Sequence, residues 1–174
     1  MTNNFRDELD WRGLIHDTTS GLEEEINKNC ISGYIGFDPT SDSLHIGSLV
    51  QLIILRHFQM AGHKPIILIG GATGMIGDPS GKSKERNLLN PDKIEKNISS
   101  LKIQLSKFLD FDSKKTNAAI IVNNFDWNND LNILSFFRDF GKLLTVNYMM
   151  SKESVKNRIS VSDANEGMSF TEFT

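Results

Sequence analysis

Apolar residues fall into two kinds of run along this chain. Short continuous runs bounded by glycine, proline or asparagine read as strands. They cover residues 31–37, 64–71 and 118–123, and the last two are apolar enough for a sheet buried on both faces. Longer stretches show helical periodicity. Residues 44–61 are apolar on most sides (Leu49, Leu52, Ile53, Leu55, Phe58), which predicts a helix buried against the sheet, with Gly62 as its C-cap glycine. Residues 91–111 carry Ile94, Ile98, Leu101, Leu105 and Phe108 on one stripe, with Lys93, Lys96, Lys102 and Lys107 off it. Pro91 suits the first turn of that helix. Residues 131–144 place Ile133, Phe137, Phe140 and Leu144 on one face, and residues 146–159 read as a further amphipathic helix. Short helices at residues 4–14 and 22–28 precede the first strand, and residues 162–167 form a polar loop. Strand, helix and strand joined tightly make a parallel unit. The expected fold class is therefore α/β, a Rossmann-like parallel sheet flanked by helices.

Composition narrows the function classes. The chain has 174 residues, 39% of them hydrophobic and 24% charged, an ordinary globular balance. A net charge of -3 excludes a wholesale basic footprint for nucleic acid, though not a local basic patch. One cysteine, Cys30, excludes an internal disulfide and a cysteine-based metal cluster. No apolar run approaches the roughly 20 residues of a membrane span, and the first residues lack the pattern of a secretory signal. The expected location is cytoplasmic, with no membrane partner.

The chemistry concentrates at two joints. The first runs from Tyr34 through Asp38-Pro39-Thr40 to His45-Ile46-Gly47-Ser48, leaving a strand at its carboxyl end, where open α/β sheets bind ligands. Thr40 and His45 offer neutral hydrogen-bond donors beside a helix start, a combination suited to phosphate. Taken singly, His45 reads as a capping or core histidine and Thr40 as a turn residue. Their shared spacing favours the ligand. Gly47 leaves room for a ring or ribose against the helix start. Tyr34 reads either as a core tyrosine or as a hydroxyl presented to the pocket. The second joint, residues 70–82, holds four glycines within eight residues, then Asp78, a lone carboxylate suited to an ammonium group. It lacks one spacer residue of the P-loop pattern. Lys82, Lys84 and Arg86 follow, read either as a solvated loop or as an arm closing over polyphosphate. Asn123 ends the third strand and reads as a turn residue or a contact to the same cavity.

Together these segments resemble the bacterial-type tyrosyl-tRNA synthetases, a class I family. The resemblance rests on Gly36 to Gly47, Gly70 to Ser80, Asn123 to Trp127 and Ser169 to Phe173, and runs from about Trp11 onward. It implies a Rossmann catalytic core that joins L-tyrosine to ATP and passes the tyrosyl group to tRNA(Tyr). It further implies that Tyr34 contacts the substrate phenol and that Asp78, helped by Asn123, holds the α-ammonium. Thr40 and His45 would contact the departing polyphosphate, and Gly36, Asp38 and Gly47 would line the ATP site. Lys82 and Arg86 would act on pyrophosphate or the tRNA acceptor end. Mg²⁺ would arrive with ATP, and no tightly bound cofactor is expected. The family's His-Ile-Gly-His reads His45-Ile46-Gly47-Ser48 here, so Ser48 would reach the ribose with a shorter arm. Residues 1–30 would be an N-terminal helical segment. Residues 31–174 would be the first part of the catalytic domain, with residues 131–173 at a homodimer interface. The helix with Tyr-x-x-x-Gln-x-x-Asp, the Lys-Met-Ser-Lys-Ser-type loop and the anticodon-binding domain would lie beyond Thr174. The piece alone is then expected to be inactive. The alternative is a non-catalytic dimerising or RNA-binding module, for which the composition offers no positive sign.

Overall fold

The computed structural model describes residues 4–76, 90–161 and 170–173. Two short helices open the chain, α1 (Phe5–Trp11) and α2 (Leu22–Lys28), linked by an ion pair between Arg6 and Glu23. The Asn4 side chain accepts from the Arg6 N–H and caps α1, which ends at Trp11, short of the expected residue 14. Three strands follow in spatial order β1 (Ser32–Phe37), β2 (Lys64–Ile69), β3 (Ile120–Asn123), all parallel. The expected parallel α/β sheet is therefore present. Helix α3 (Leu49–Met60) connects β1 to β2, and α5 (Pro91–Leu105) precedes β3.

The register sorts the strand residues into two faces. Phe37 pairs with Ile69 and Ile69 with Asn123; Ile35, Ile67 and Ile121 pair one step earlier. This face is covered. Leu52 and Leu55 of α3, with Leu101 and Leu105 of α5, pack on Phe37, Ile67 and Ile69, and all are nearly or wholly buried. Each such side chain contributes on the order of 1.5–3 kcal/mol by leaving water. Tyr34, Gly36, Ile66, Leu68, Ile120 and Val122 take the other face and remain half-buried or exposed. The expectation of a fully buried second strand is thus corrected: its burial alternates, because only one face meets a helical layer among the described residues.

Helix α3 also anchors what surrounds it. Phe5 of α1 meets Phe58 edge-on, with ring centroids 5.1 Å apart. Gly62 ends the helix as expected, at φ 95°, a conformation that other residues adopt at a cost. The Gln59 side chain donates to the Asp110 and Asn117 carbonyls at 2.7 and 3.1 Å and accepts from the Asp110 N–H at 2.9 Å. It thereby ties down the connection entering β3. Pro91 does open α5, behind an Asn90 cap, but the helix closes at Leu105 rather than 111.

Beyond β3 the expected long helices are broken. A short α6 (Phe125–Asn128) leads to α7 (Ile133–Phe136), which passes into a π turn at Phe137–Gly141. Gly141, a poor helix former, closes that turn. Residues 146–159 split into α8 (Val146–Ser151) and α9 (Glu153–Val161), because Lys152 is extended (φ -66°, ψ 137°). A last turn, α10, covers Phe170–Phe173. The expected loop at residues 162–167 lies outside the described residues. No helix among the described residues is long and apolar enough to cross a membrane.

Candidate active site

The two joints meet. Phe37 at the end of β1 accepts from the Gly70 N–H at 3.0 Å, so the turns leave the same sheet edge side by side. A Cβ on Gly70 would stand 2.5 Å from the Thr73 hydroxyl and 3.0 Å from Asp38 Oδ1. Only glycine permits that approach. Residues 71–76 of the second joint form a short helix, α4 (Gly71–Ile76). Two asparagines at the end of β3 hold its start: Asn123 Oδ1 accepts from the Gly71 N–H at 3.1 Å, and Asn124 Oδ1 from the Ala72 N–H at 2.7 Å. Asn123 Oδ1 also accepts from the Phe125 N–H at 3.1 Å. This capping, spread over 50 residues of sequence, is why the segment is ordered.

The helix expected over residues 44–61 begins later than its apolar pattern suggests. His45 is extended, Ile46–Ser48 form a 3₁₀ turn, and α3 proper starts at Leu49. The cause is local: His45 Nδ1 accepts from the Gly47 N–H at 2.9 Å. Accepting through Nδ1 puts the proton of a neutral imidazole on Nε2, free to donate outward. A Cβ on Gly47 would lie 2.6 Å from His45 Cε1. The room at Gly47 is therefore taken by the imidazole itself rather than left for a ring or ribose. Thr40 and His45 are both exposed, and Ser48 is partly exposed with its side chain making no cap bond.

Tyr34 and Gly36 lie two residues apart on the open face of β1. Tyr34 is 69% exposed, and beyond its own chain neighbours no atom lies within 4 Å of where a Gly36 Cβ would be. A flat ligand can rest against that bare backbone beside the phenol. Asn123 belongs to the opposite face, so the structure does not bring it beside Tyr34; its carbonyl oxygen serves α4 instead. Asp78, Lys82 and Arg86 lie outside the described residues. No group of three metal-ligating side chains occurs among the described residues. A cavity of about 620 Å³ lies at the far end of the sheet between Arg56, Asp110 and Lys115. These three are engaged within the protein: Arg56 donates to the Phe108 carbonyl, and Lys115 pairs with Asp110, holding that carboxyl below its usual range.

Sequence reading missed two residues of α5 that touch the first turn. Asn97 Nδ2 donates to the Pro39 carbonyl at 2.8 Å, and Gln104 Oε1 accepts from the Leu44 N–H at 2.8 Å. One signal was available: Asn97 is a polar residue three places after Ile94 and four before Leu101, on the apolar stripe.

Residues 27–174 match the family model described as tRNA synthetases class I (W and Y). The tyrosine–tRNA ligases of Flavobacterium johnsoniae and Porphyromonas gingivalis are each 60% identical over 171 residues, and that of Bacteroides fragilis is 57% identical. These matches take in 98% of this chain but only 39–40% of the relatives, so the chain spans about two fifths of their length. A C-terminally truncated mitochondrial tyrosyl-tRNA synthetase of Aspergillus nidulans has the same fold, with TM-score 0.80 and 30% identity over 98% of this chain and 50% of its own. Its counterpart from Coccidioides posadasii matches with TM-score 0.73 and 27% identity, over 98% of this chain and 48% of its own.

Proposed function

This chain belongs to the class I tRNA synthetases (W and Y), and we propose that it forms the first part of the catalytic domain of a tyrosine–tRNA ligase. The reaction is ATP-dependent activation of L-tyrosine, then transfer to tRNA(Tyr). A tyrosine carboxylate oxygen bonds to the α-phosphorus of ATP as the bond to pyrophosphate breaks, and pyrophosphate leaves with the electron pair. The protein's part is positioning and stabilisation of charge on the leaving group. Tyr34 receives the substrate phenol and Asp78 the α-ammonium. Thr40 and the Nε2 proton of His45 hold the polyphosphate, with Lys82 and Arg86 on pyrophosphate or the tRNA end. Asp38, Gly36 and Ser48 line the nucleotide. Asn123 helps indirectly, by fixing the start of the segment that leads to Asp78. Gly47 serves the nucleotide site by admitting the imidazole of His45. Mg²⁺ enters with ATP as part of the substrate.

The observation that carries this reading is the joining of the two turns at Phe37–Gly70, with Asp38 packed beside Gly70. The relatives' names favour tyrosine over tryptophan. The test is pyrophosphate exchange into ATP by the complete polypeptide that carries this chain. Exchange is expected with tyrosine and not with tryptophan. A polypeptide silent with tyrosine, or equally active with tryptophan, sinks the reading. The 174-residue piece alone is expected to be silent in that assay, and the complete enzyme is expected in the cytoplasm. We assign the homodimer contact to residues 131–173, where Leu134, Phe137, Phe140 and Leu143 are exposed. Phe140→Asp is expected to yield a monomer in sedimentation; an unchanged dimer would move the contact elsewhere.

A further inference from the structure

We propose that Gln104 and Asn97 of α5 are positioning residues for the turn that presents Thr40 and His45, an inference that rests on the tyrosine-activating reading above. Between the end of β1 and the 3₁₀ turn, residues 38–45 have no helix or strand of their own. Two side chains of α5 hold them. The Pro39 carbonyl accepts from Asn97 Nδ2, and the Leu44 N–H donates to Gln104 Oε1, each at 2.8 Å. Pro39 is the chain neighbour of Thr40, and Leu44 of His45. Each tether thus fixes the backbone of the residue next to a proposed phosphate contact. Asn97 and Gln104 are seven residues apart, two turns of helix, so one face of α5 carries both. A rigid rod sets the span between the two phosphate donors.

The choice of residue at 97 argues for this role over simple packing. Asn97 is fully buried among apolar residues, and its Oδ1 has no hydrogen-bond partner among the described residues. An apolar side chain there would avoid burying an unpaired carbonyl oxygen. What asparagine adds is the donor that reaches Pro39. Gln104 is only partly buried, and its acceptor is spent on one backbone N–H of the turn.

The experiment is tyrosine-dependent pyrophosphate exchange in the complete polypeptide, paired with thermal unfolding. Gln104→Ala is expected to lower kcat about tenfold while KM for tyrosine stays within about twofold. Gln104→Glu keeps an acceptor and is expected to restore kcat. Asn97→Leu removes one buried unpaired oxygen, Asn97 Oδ1, and leaves another, the Pro39 carbonyl, so Tm is expected to change little while kcat falls, a divergence that a packing role would not produce. If Asn97→Leu fails to fold, the Gln104 pair decides alone. Unchanged kcat in Gln104→Ala, or a loss that Gln104→Glu does not repair, overturns the positioning role. Absence of exchange in the unaltered polypeptide overturns the functional reading itself, and the proposal with it. Normal exchange with unaffected variants overturns only the positioning.

Discussion

The two faces of the sheet are made of similar residues and meet different fates. On one face Ile35, Phe37, Ile67 and Ile69 lie under α3 and α5. On the other, Ile66, Leu68, Ile120 and Val122 are as apolar but only partly shielded. Strands apolar on both faces are written for a sheet with helices on both sides. Among the described residues one side is supplied, in a chain that spans two fifths of its relatives' length. The division is also functional. The covered side holds the turns in place through Asn97, Gln104 and Asn123, whereas the open side leaves Tyr34 and Gly36, the proposed substrate contacts, exposed.

The difference between the faces is checked most directly by truncating neighbours on β2. Ile67 is 0% exposed and central to the core. Ile67→Ala is expected to cost about 2–5 kcal/mol in urea unfolding, whereas Ile66→Ala is expected to cost less than about 1 kcal/mol. Equal losses would mean that the open face is as tightly packed as the covered one.

A smaller effect is expected where the turns touch. Gly70→Ala drives a methyl group against the Thr73 hydroxyl and the Asp38 carboxylate. The expected cost is about 1–3 kcal/mol of stability, with loss of tyrosine-dependent exchange in the complete polypeptide. Retention of both would show that the joint is looser than its distances imply.

Much of this was legible in advance, and the exceptions have physical causes. Parallel strands, α3, α5 and Gly62 followed from periodicity and capping, which are local. The order in residues 71–76 did not, because Asn123 and Asn124 supply its capping from far along the chain. The late start of α3 was hidden for a different reason. Apolar pattern marks a helix's buried face, while its first turn is decided by one hydrogen bond from Gly47 to His45. Periodicity likewise proposed one helix over residues 146–159, which an extended Lys152 divides. At the site, the motif residues were visible as a group. Which face each occupies was not, since a strand's alternation reveals faces only once the register is known.

On the open face, Tyr34→Phe isolates function from folding. The side chain is mostly exposed, so stability is expected to change by less than about 0.5 kcal/mol. If the phenol meets the substrate, KM for tyrosine in the complete polypeptide rises about three- to tenfold while KM for ATP does not move. A parallel rise in both would place Tyr34 outside the tyrosine subsite.

The smallest expected effect lies at the covered edge, where α3 turns into β2. His63 is 5% exposed, packed on Phe58 at 4.7 Å between ring centroids and facing Phe5 at 6.3 Å; its Nδ1 accepts from the Ile31 N–H at 3.4 Å. Burial lowers its pKa below the usual 6.5. Above that value both the folded and unfolded chains hold a neutral imidazole, so the group contributes no pH dependence. As pH falls through about 6.5 the unfolded chain binds a proton that the native site refuses, and stability declines until the native group also titrates. Part of the acid-side loss of Tm therefore belongs to this residue. His63→Gln keeps an acceptor for Ile31 without the titration, and its Tm is expected to drop less than that of the unaltered chain between about pH 7.5 and pH 5. His57, which stands 3.9 Å from Glu8, is common to both proteins and cancels in the difference. Parallel pH profiles for the two proteins would show that the ring pair of α1 and α3 opens readily enough for water to reach His63, and that the covered face is less closed at this edge than in its centre.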